Sequence, residues 1–171
     1  MATTSAERSA AFGSEAVEQI AQRYGRPDVH IAPDGDDGTM MPIFPGVFVR
    51  HLSFDVRCNA FTNITYVPDG GMIGRHRHRG PVDGFVLEGS WRYLEYDWVA
   101  RPGSFIHESP GVIHTLVAEP GMKTYFRIQG ALEFFDEADN LTLVLDVFWM
   151  IEHYTRYCRE HNLDINPALF I

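Results

Sequence analysis

His76 and His78 stand two residues apart in the stretch Gly70–Gly89 (GGMIGRHRHRGPVDGFVLEG). On a strand, side chains two apart share a face, so both imidazoles can close on one metal ion while Arg75, Arg77 and Arg79 point away. His114 offers a third ring. It ends the run PGSFIHESPGVIH, where the turn Pro110-Gly111 lets it emerge at the start of the next strand. The chain has eight histidines but only two cysteines, Cys58 and Cys158, far apart and forming no Cys-x-x-Cys pair. A disulfide scaffold and a thiolate zinc site are therefore excluded, and imidazole must carry any metal.

Three further side chains could serve such an ion. Glu108 lies six residues before His114, on the strand that feeds the turn. A carboxylate there could orient a metal-bound water or take a substrate proton, and an apolar interior would raise its pKa. Its other reading is a rim glutamate in water. Tyr93 alternates with Arg92, so only one of them faces inward; Tyr93 would stack on a ring or donate its hydroxyl, or else be a wall residue. Arg127, on the strand after His114, could balance Glu108 or meet a substrate anion, or else lie on the surface. His30, His51, His107, His153 and His161 have no partner at chelating distance in sequence and read as structural or solvent-facing. Cys58 and Cys158 read as small buried hydrophobes.

Positioning these groups falls to a single domain over residues 1–171. A hydrophobic fraction of 45% supplies a proper core, and 23 acidic against 14 basic residues give a net charge of −9. Such an acidic chain lacks the footprint of a nucleic-acid or anionic-membrane binder. Residues 1–20 contain no unbroken apolar run, and no stretch is long enough to span a bilayer, so a soluble cytoplasmic protein is expected. A helix is predicted over about 14–25, capped by Ser14 and carrying Val17, Ile20, Ala21 and Tyr24 on one face. From about 45 to 135 the period becomes two. VFVRHLSFD, AFTNITYV, GFVLEG, WRYLEYDWV, SFIHE, HTLVA and KTYFRIQG alternate with Pro-Gly and Asp-Gly turns. Many short strands at close spacing predict an all-β antiparallel barrel or sandwich. Leu132–Leu145 reads as one more hairpin turning at Asp136–Asn140. A second helix is predicted over about 146–162, with Val147, Met150, Ile151, Tyr154, Cys158 and His161 on its apolar stripe. The apolar end Ala168–Ile171 should dock on the barrel or on another subunit.

The spacing of these residues resembles the two signature motifs of the cupin superfamily. Gly70, His76, His78 and Gly89 fall at the positions of the first motif; Gly103, Gly111 and His114 fall at those of the second. Ser109 and Ala118 replace the second motif's first proline and its asparagine. The resemblance spans about 60–130 and implies a jelly-roll barrel, ChrR-like, with one metal held by His76, His78 and His114. Where the first motif places a glutamate, this chain has Val82, or Asp83 if one residue is added. Asp83 is one methylene shorter and also reads as a turn residue after Gly80-Pro81. The site preferred on this basis is three neutral imidazoles, which leave the full divalent charge on the metal and favour an anionic, bidentate oxygen ligand.

Among three-histidine cupins the chain is similar to the 2,4'-dihydroxyacetophenone dioxygenase family. That similarity implies a nonhaem iron(II) enzyme, one ion per subunit, that cleaves the C–C bond of an aromatic α-hydroxyketone with O2, giving 4-hydroxybenzoate and formate. It also implies a second-shell glutamate near Glu108. Three other readings stay open: a β-diketone-cleaving dioxygenase, a non-oxidative isomerase or lyase, and a noncatalytic metal-sensing barrel. Three imidazoles would also accept zinc, copper, nickel or manganese. Small cupin barrels pair through edge strands and terminal segments, so a homodimer or homotetramer is expected.

Overall fold

The structure is a computed structural model that describes residues 19–20, 22–23, 25 and 28–171. Backbone contacts divide the chain into two units, Met1–His30 and Ile31–Ile171. The helix expected over about 14–25 falls largely outside the described residues, and the first described element is a 3-10 turn at Asp36–Gly38.

The second unit is built of eleven strands: β1 (Met41–Phe44), β2 (Val47–Asp55), β3 (Ala60–Val67), β4 (Gly71–His78), β5 (Val82–Glu88), β6 (Trp91–Tyr93), β7 (Phe105–Glu108), β8 (Ile113–Ala118), β9 (Met122–Gln129), β10 (Leu132–Phe135) and β11 (Leu141–Leu145). They form two antiparallel sheets. One has the order β1-β2-β3-β9-β5-β7, the other β11-β10-β4-β8-β6. The β region thus runs from Met41 to Leu145, beyond the expected 45–135 at both ends.

The core lies between the sheets because the strands alternate. On β9, Met122, Thr124, Phe126 and Ile128 are buried, while Lys123, Tyr125 and Arg127 point outward. On β5 the inward set is Val82, Gly84 and Val86. A Cβ on Gly84 would come within 3.0 Å of the Phe126 ring, so only glycine leaves room for that ring. The hairpin β10–β11 turns at Asp136–Asn140, as the pattern predicts, with the Asp136 carboxylate accepting from the Ala138 and Asn140 backbone N–H groups.

One expected strand is cut short. Of WRYLEYDWV only Trp91–Tyr93 is extended. The chain then folds back, with Ala100 and Trp91 exchanging backbone hydrogen bonds, and Leu94, Tyr96, Trp98 and Val99 stay exposed. Propensity alone does not extend a strand past the point where partner backbone ends.

Helix α1 (Val147–His161) starts at Asp146, whose side chain accepts from the Trp149 N–H, and ends at Asn162 in a left-handed conformation (φ 54°). Its buried face is Val147, Met150, His153, Tyr154 and Cys158. His161, expected on that stripe, is exposed and stacks on Tyr157; His153 takes a buried place instead. His153 Nε2–H donates to the Pro42 carbonyl (2.8 Å), leaving its Nδ1 to accept from His51 Nε2–H (3.4 Å). Burial, then the neighbouring His153, pushes His51 down to about 3, so this pair is neutral packing between α1 and β2. Cys58 is exposed rather than buried, at the turn between β2 and β3; Cys158 is buried as expected. The C-terminal end docks on its own barrel: the Phe170 ring packs tilted against Phe54 (centroids 5.4 Å apart), and the Ile171 N–H donates to the Phe54 carbonyl (3.0 Å).

Candidate metal centre

His76 and His78 share the inner face of β4, and His114 on β8 is the register partner of His76. Adjacent strands therefore bring the third ring beside the first two. The parity needs a correction that only the backbone shows. Ile73 also faces inward, three positions before His76 with Gly74 and Arg75 between them. A register shift between Ile73 and His76 resets the alternation, so both Ile73 and the histidines point into the barrel. The same bulge presents the Gly74 carbonyl to His76 Nδ1–H (2.7 Å), which fixes the tautomer and leaves Nε2 with its lone pair free.

The three rings are buried, and one nitrogen from each lies within 4.8 Å of the others. An equilateral triangle of that side has its centre roughly 2.8 Å from each corner, so small ring rotations bring an ion to the ~2 Å of a metal–imidazole bond. Burial, then the neighbouring His78, pushes His76 down to about 3; burial pushes His114 down to about 4. Both are thus neutral near pH 7, the form that binds metal. His114 Nε2 and His78 Nδ1 are buried without a hydrogen-bond partner. Unpartnered buried nitrogens in a cluster of three closely spaced imidazoles fit a cation, and the residues that could hold it are His76, His78 and His114.

Glu108 is not at the rim. It comes from β7, in the other sheet, and is 5% exposed. Its Oε2 lies 2.9 Å from His78 Nε2 and 3.5 Å from His114 Nε2. Its Oε1 accepts from the Tyr93 hydroxyl at 2.5 Å. The expected upward pKa shift is reversed. Burial raises the carboxyl, but the hydrogen bond and charge of His78, with the Tyr93 hydroxyl, hold it below its ordinary value. Tyr93 faces inward, stacked on His114 with centroids 3.8 Å apart and planes 7° from parallel. Burial, then Glu108, pushes its phenol well above the usual range, so it stays a donor.

Two candidate residues lie outside the site. Arg127 does not face the site: it is exposed on the outer face of β9, opposite Thr62 and Asp83, because its parity is odd while Phe126 and Ile128 take the core. Asp83 is outside too. Its carboxylate meets His107 Nδ1 (2.8 Å) on the outer face, while Val82, 1% exposed, fills the inward position where a cupin places glutamate. Replacing Asp83 with alanine should leave metal content unchanged by elemental analysis; loss of metal would put the carboxylate back in the ligand set.

Sequence reasoning missed the remainder of the site. His76, His78, Tyr93 and Glu108 line a cavity of about 80 Å³ walled by Phe44, Val82, Phe126, Phe134 and, from α1, Met150. Asn63 and Thr65 of β3 are polar groups in the same wall, with the Thr65 hydroxyl donating to Asn63 Oδ1 (3.0 Å). Their alternation in AFTNITYV was visible, but not which face was inward. A second cavity of about 170 Å³ lies against Tyr93, Glu108 and His114 and is bounded by the stacked pair Tyr96 and Trp98.

Comparisons with known proteins agree with this geometry. The profile of the ChrR Cupin-like domain family matches residues 30–133. No curated protein shows significant similarity to the chain. Among solved structures, an RmlC-like cupin from Ralstonia eutropha is 29% identical, with a TM-score of 0.73 over 80% of this chain and 92% of its own. An acetylacetone dioxygenase from Acinetobacter johnsonii is 19% identical, with a TM-score of 0.67 over 77% of this chain and 95% of its own. The second likeness is one of fold. Among the described residues no helix is long and apolar enough to cross a membrane.

Proposed function

The chain belongs to the ChrR cupin-like family, and we propose that it is a metal-dependent dioxygenase that cleaves the C–C bond beside a carbonyl in a substrate offering two oxygens to the metal. The observation that carries this reading is the buried trio of imidazoles, with a buried carboxylate beside it and an apolar cavity in front of it. His76, His78 and His114 would hold one iron(II). When bound, that ion supplies Lewis acidity, a template for two substrate oxygens and a path for electrons to dioxygen.

The chain's own groups do the rest. Glu108, whose carboxyl is held below its ordinary range, is the group that would take the substrate's acidic proton. Tyr93 holds Oε1, so Oε2 is the oxygen turned toward the histidines. The apolar wall keeps bulk water away from the reacting carbons. For the substrate we take an aromatic α-hydroxyketone such as 2,4'-dihydroxyacetophenone, giving 4-hydroxybenzoate and formate. Phe44, Phe126 and Phe134 suit its ring, and the Asn63–Thr65 pair suits its phenolic oxygen. A compact β-diketone is the second reading, favoured by volume: a cavity near 150 Å³ holds one benzene ring, and this one is about 80 Å³.

Oxygen uptake by the iron(II)-loaded protein tests both. With 2,4'-dihydroxyacetophenone, one O2 should be consumed per 4-hydroxybenzoate and formate formed. Uptake with acetylacetone alone would select the second reading, and turnover under strict anaerobiosis would defeat both.

A further inference from the structure

The outer face of the six-stranded sheet carries an apolar row that nothing among the described residues covers. Ile64, Tyr125, Phe85 and Phe105 are register neighbours across β3, β9, β5 and β7. Phe85 is 45% and Phe105 65% exposed. Rings this open in one contiguous row mark a contact surface more often than a solvated one. The rows on either side are polar. One reads Thr62, Arg127, Asp83, His107; the other reads Tyr66, Lys123, Glu88.

The charges are arranged by strand. β9 carries Lys123 and Arg127, and β5 carries Glu88 and Asp83. A cationic column thus stands beside an anionic column, with aromatic residues at mid-height on both. Consider a two-fold axis lying along the strands, between β9 and β5, with two such faces together. It lays Arg127 on the other copy's Asp83 position and Lys123 on its Glu88 position. It also lays Tyr125 on Phe85 and Ile64 on Phe105. A surface that complements itself under a two-fold is what an isologous dimer requires. In a chain of net charge −9, a face whose four charges cancel is also where two copies repel least.

We propose that this face is the interface of a homodimer, built on the Ile64–Tyr125–Phe85–Phe105 row and keyed by the Arg127 and Asp83 columns. The sheets would pack as aligned layers, with the twist of each setting a crossing angle of about 30°. The site residues lie on the opposite, inner faces, so this inference stands apart from the proposed reaction.

Sedimentation velocity on the full chain, over a hundredfold range of concentration, reads the result. The wild type should sediment as a dimer. Arg127→Asp and Asp83→Arg should each weaken self-association at least tenfold while keeping the wild-type circular dichroism spectrum. Mixed in equal amounts, the two variants should form a heterodimer, since an anionic pair at positions 127 and 83 then meets a cationic pair, with Lys123 and Glu88 unchanged on both. The double variant R127D/D83R should dimerise again. That mixing arm separates a contact between copies from the Arg127–Asp83 neighbourhood within one chain. A wild-type monomer, single variants that remain dimeric, or a mixture that stays monomeric would each overturn the proposal.

Discussion

Alanine in place of His76, His78 or His114 should strip the metal from an otherwise folded barrel. Each variant should lose at least about tenfold in metal affinity, since even outer partners of a ligand cost that much. Elemental analysis after equilibration with a fixed excess of iron(II) or zinc reads it. The three should differ in collateral damage. His114→Ala removes the ring that Tyr93 stacks on at 3.8 Å, so it leaves a void as well as a vacancy in the ligand set. His76→Ala frees the Gly74 carbonyl and loosens the bulge. His78→Ala releases Glu108 Oε2 from its 2.9 Å contact. Full occupancy in all three variants would refute the site. A pH titration of metal retention adds a second reading. The rings of His76 and His114 bind protons only below about 3 and about 4, against 6.5 for free imidazole. Protons at these two rings therefore compete with the metal only as pH falls toward 4, not near 6.5.

Glu108→Gln should separate binding from chemistry. The amide keeps the shape and a hydrogen-bonding oxygen but cannot accept the substrate proton. Metal content should hold while turnover falls by about 10²- to 10⁴-fold, the usual worth of a placed general base. Tyr93→Phe should act in the same direction and more weakly, by freeing Oε1 rather than removing the carboxylate. The pH profile discriminates: with Glu108 as base, the acid limb of the wild-type profile reports its carboxyl and should vanish in the glutamine variant. Unchanged kinetics in Glu108→Gln would remove it from the reaction, and loss of the metal would make it a ligand.

His76, His78 and His114 were legible because metal chelation imposes spacing and a strand imposes parity. The hairpin over Leu132–Leu145 and helix α1 were legible for the same reason: each is encoded in a local period with local stops. What escaped was set by long-range pairing. Nothing local in GGMIGRHRHR shows the register shift after Ile73, although without it the histidines would share the face opposite Ile73. Arg127 and Glu108 were both offered as inward residues. Only the strand register decides between them, and it buries Glu108 and exposes Arg127. His153 and His51 looked isolated because 102 residues separate them, yet they meet beneath α1. The first motif's missing glutamate left the charge beside the imidazoles open, with Glu108 as the sequence's candidate for it. Glu108 supplies it, from the second motif's strand rather than from the first motif, so it adds a negative charge beside the imidazoles that the motif count did not place.

All three histidines hang from neighbouring strands of one sheet, while Glu108 hangs from the other. The spacing among the rings is therefore fixed by a hydrogen-bonded ladder, as stiff a ruler as a protein possesses. The distance from the rings to the carboxylate is set by side chains alone, through the His78 contact, the Tyr93 hydroxyl and packing across the sandwich. Any breathing of the two layers leaves the ligand triangle intact and varies the reach of the proton acceptor. One wall of this barrel serves as the anvil and the other as the hammer, and a core substitution far from either can retune the stroke without touching the grip on the metal.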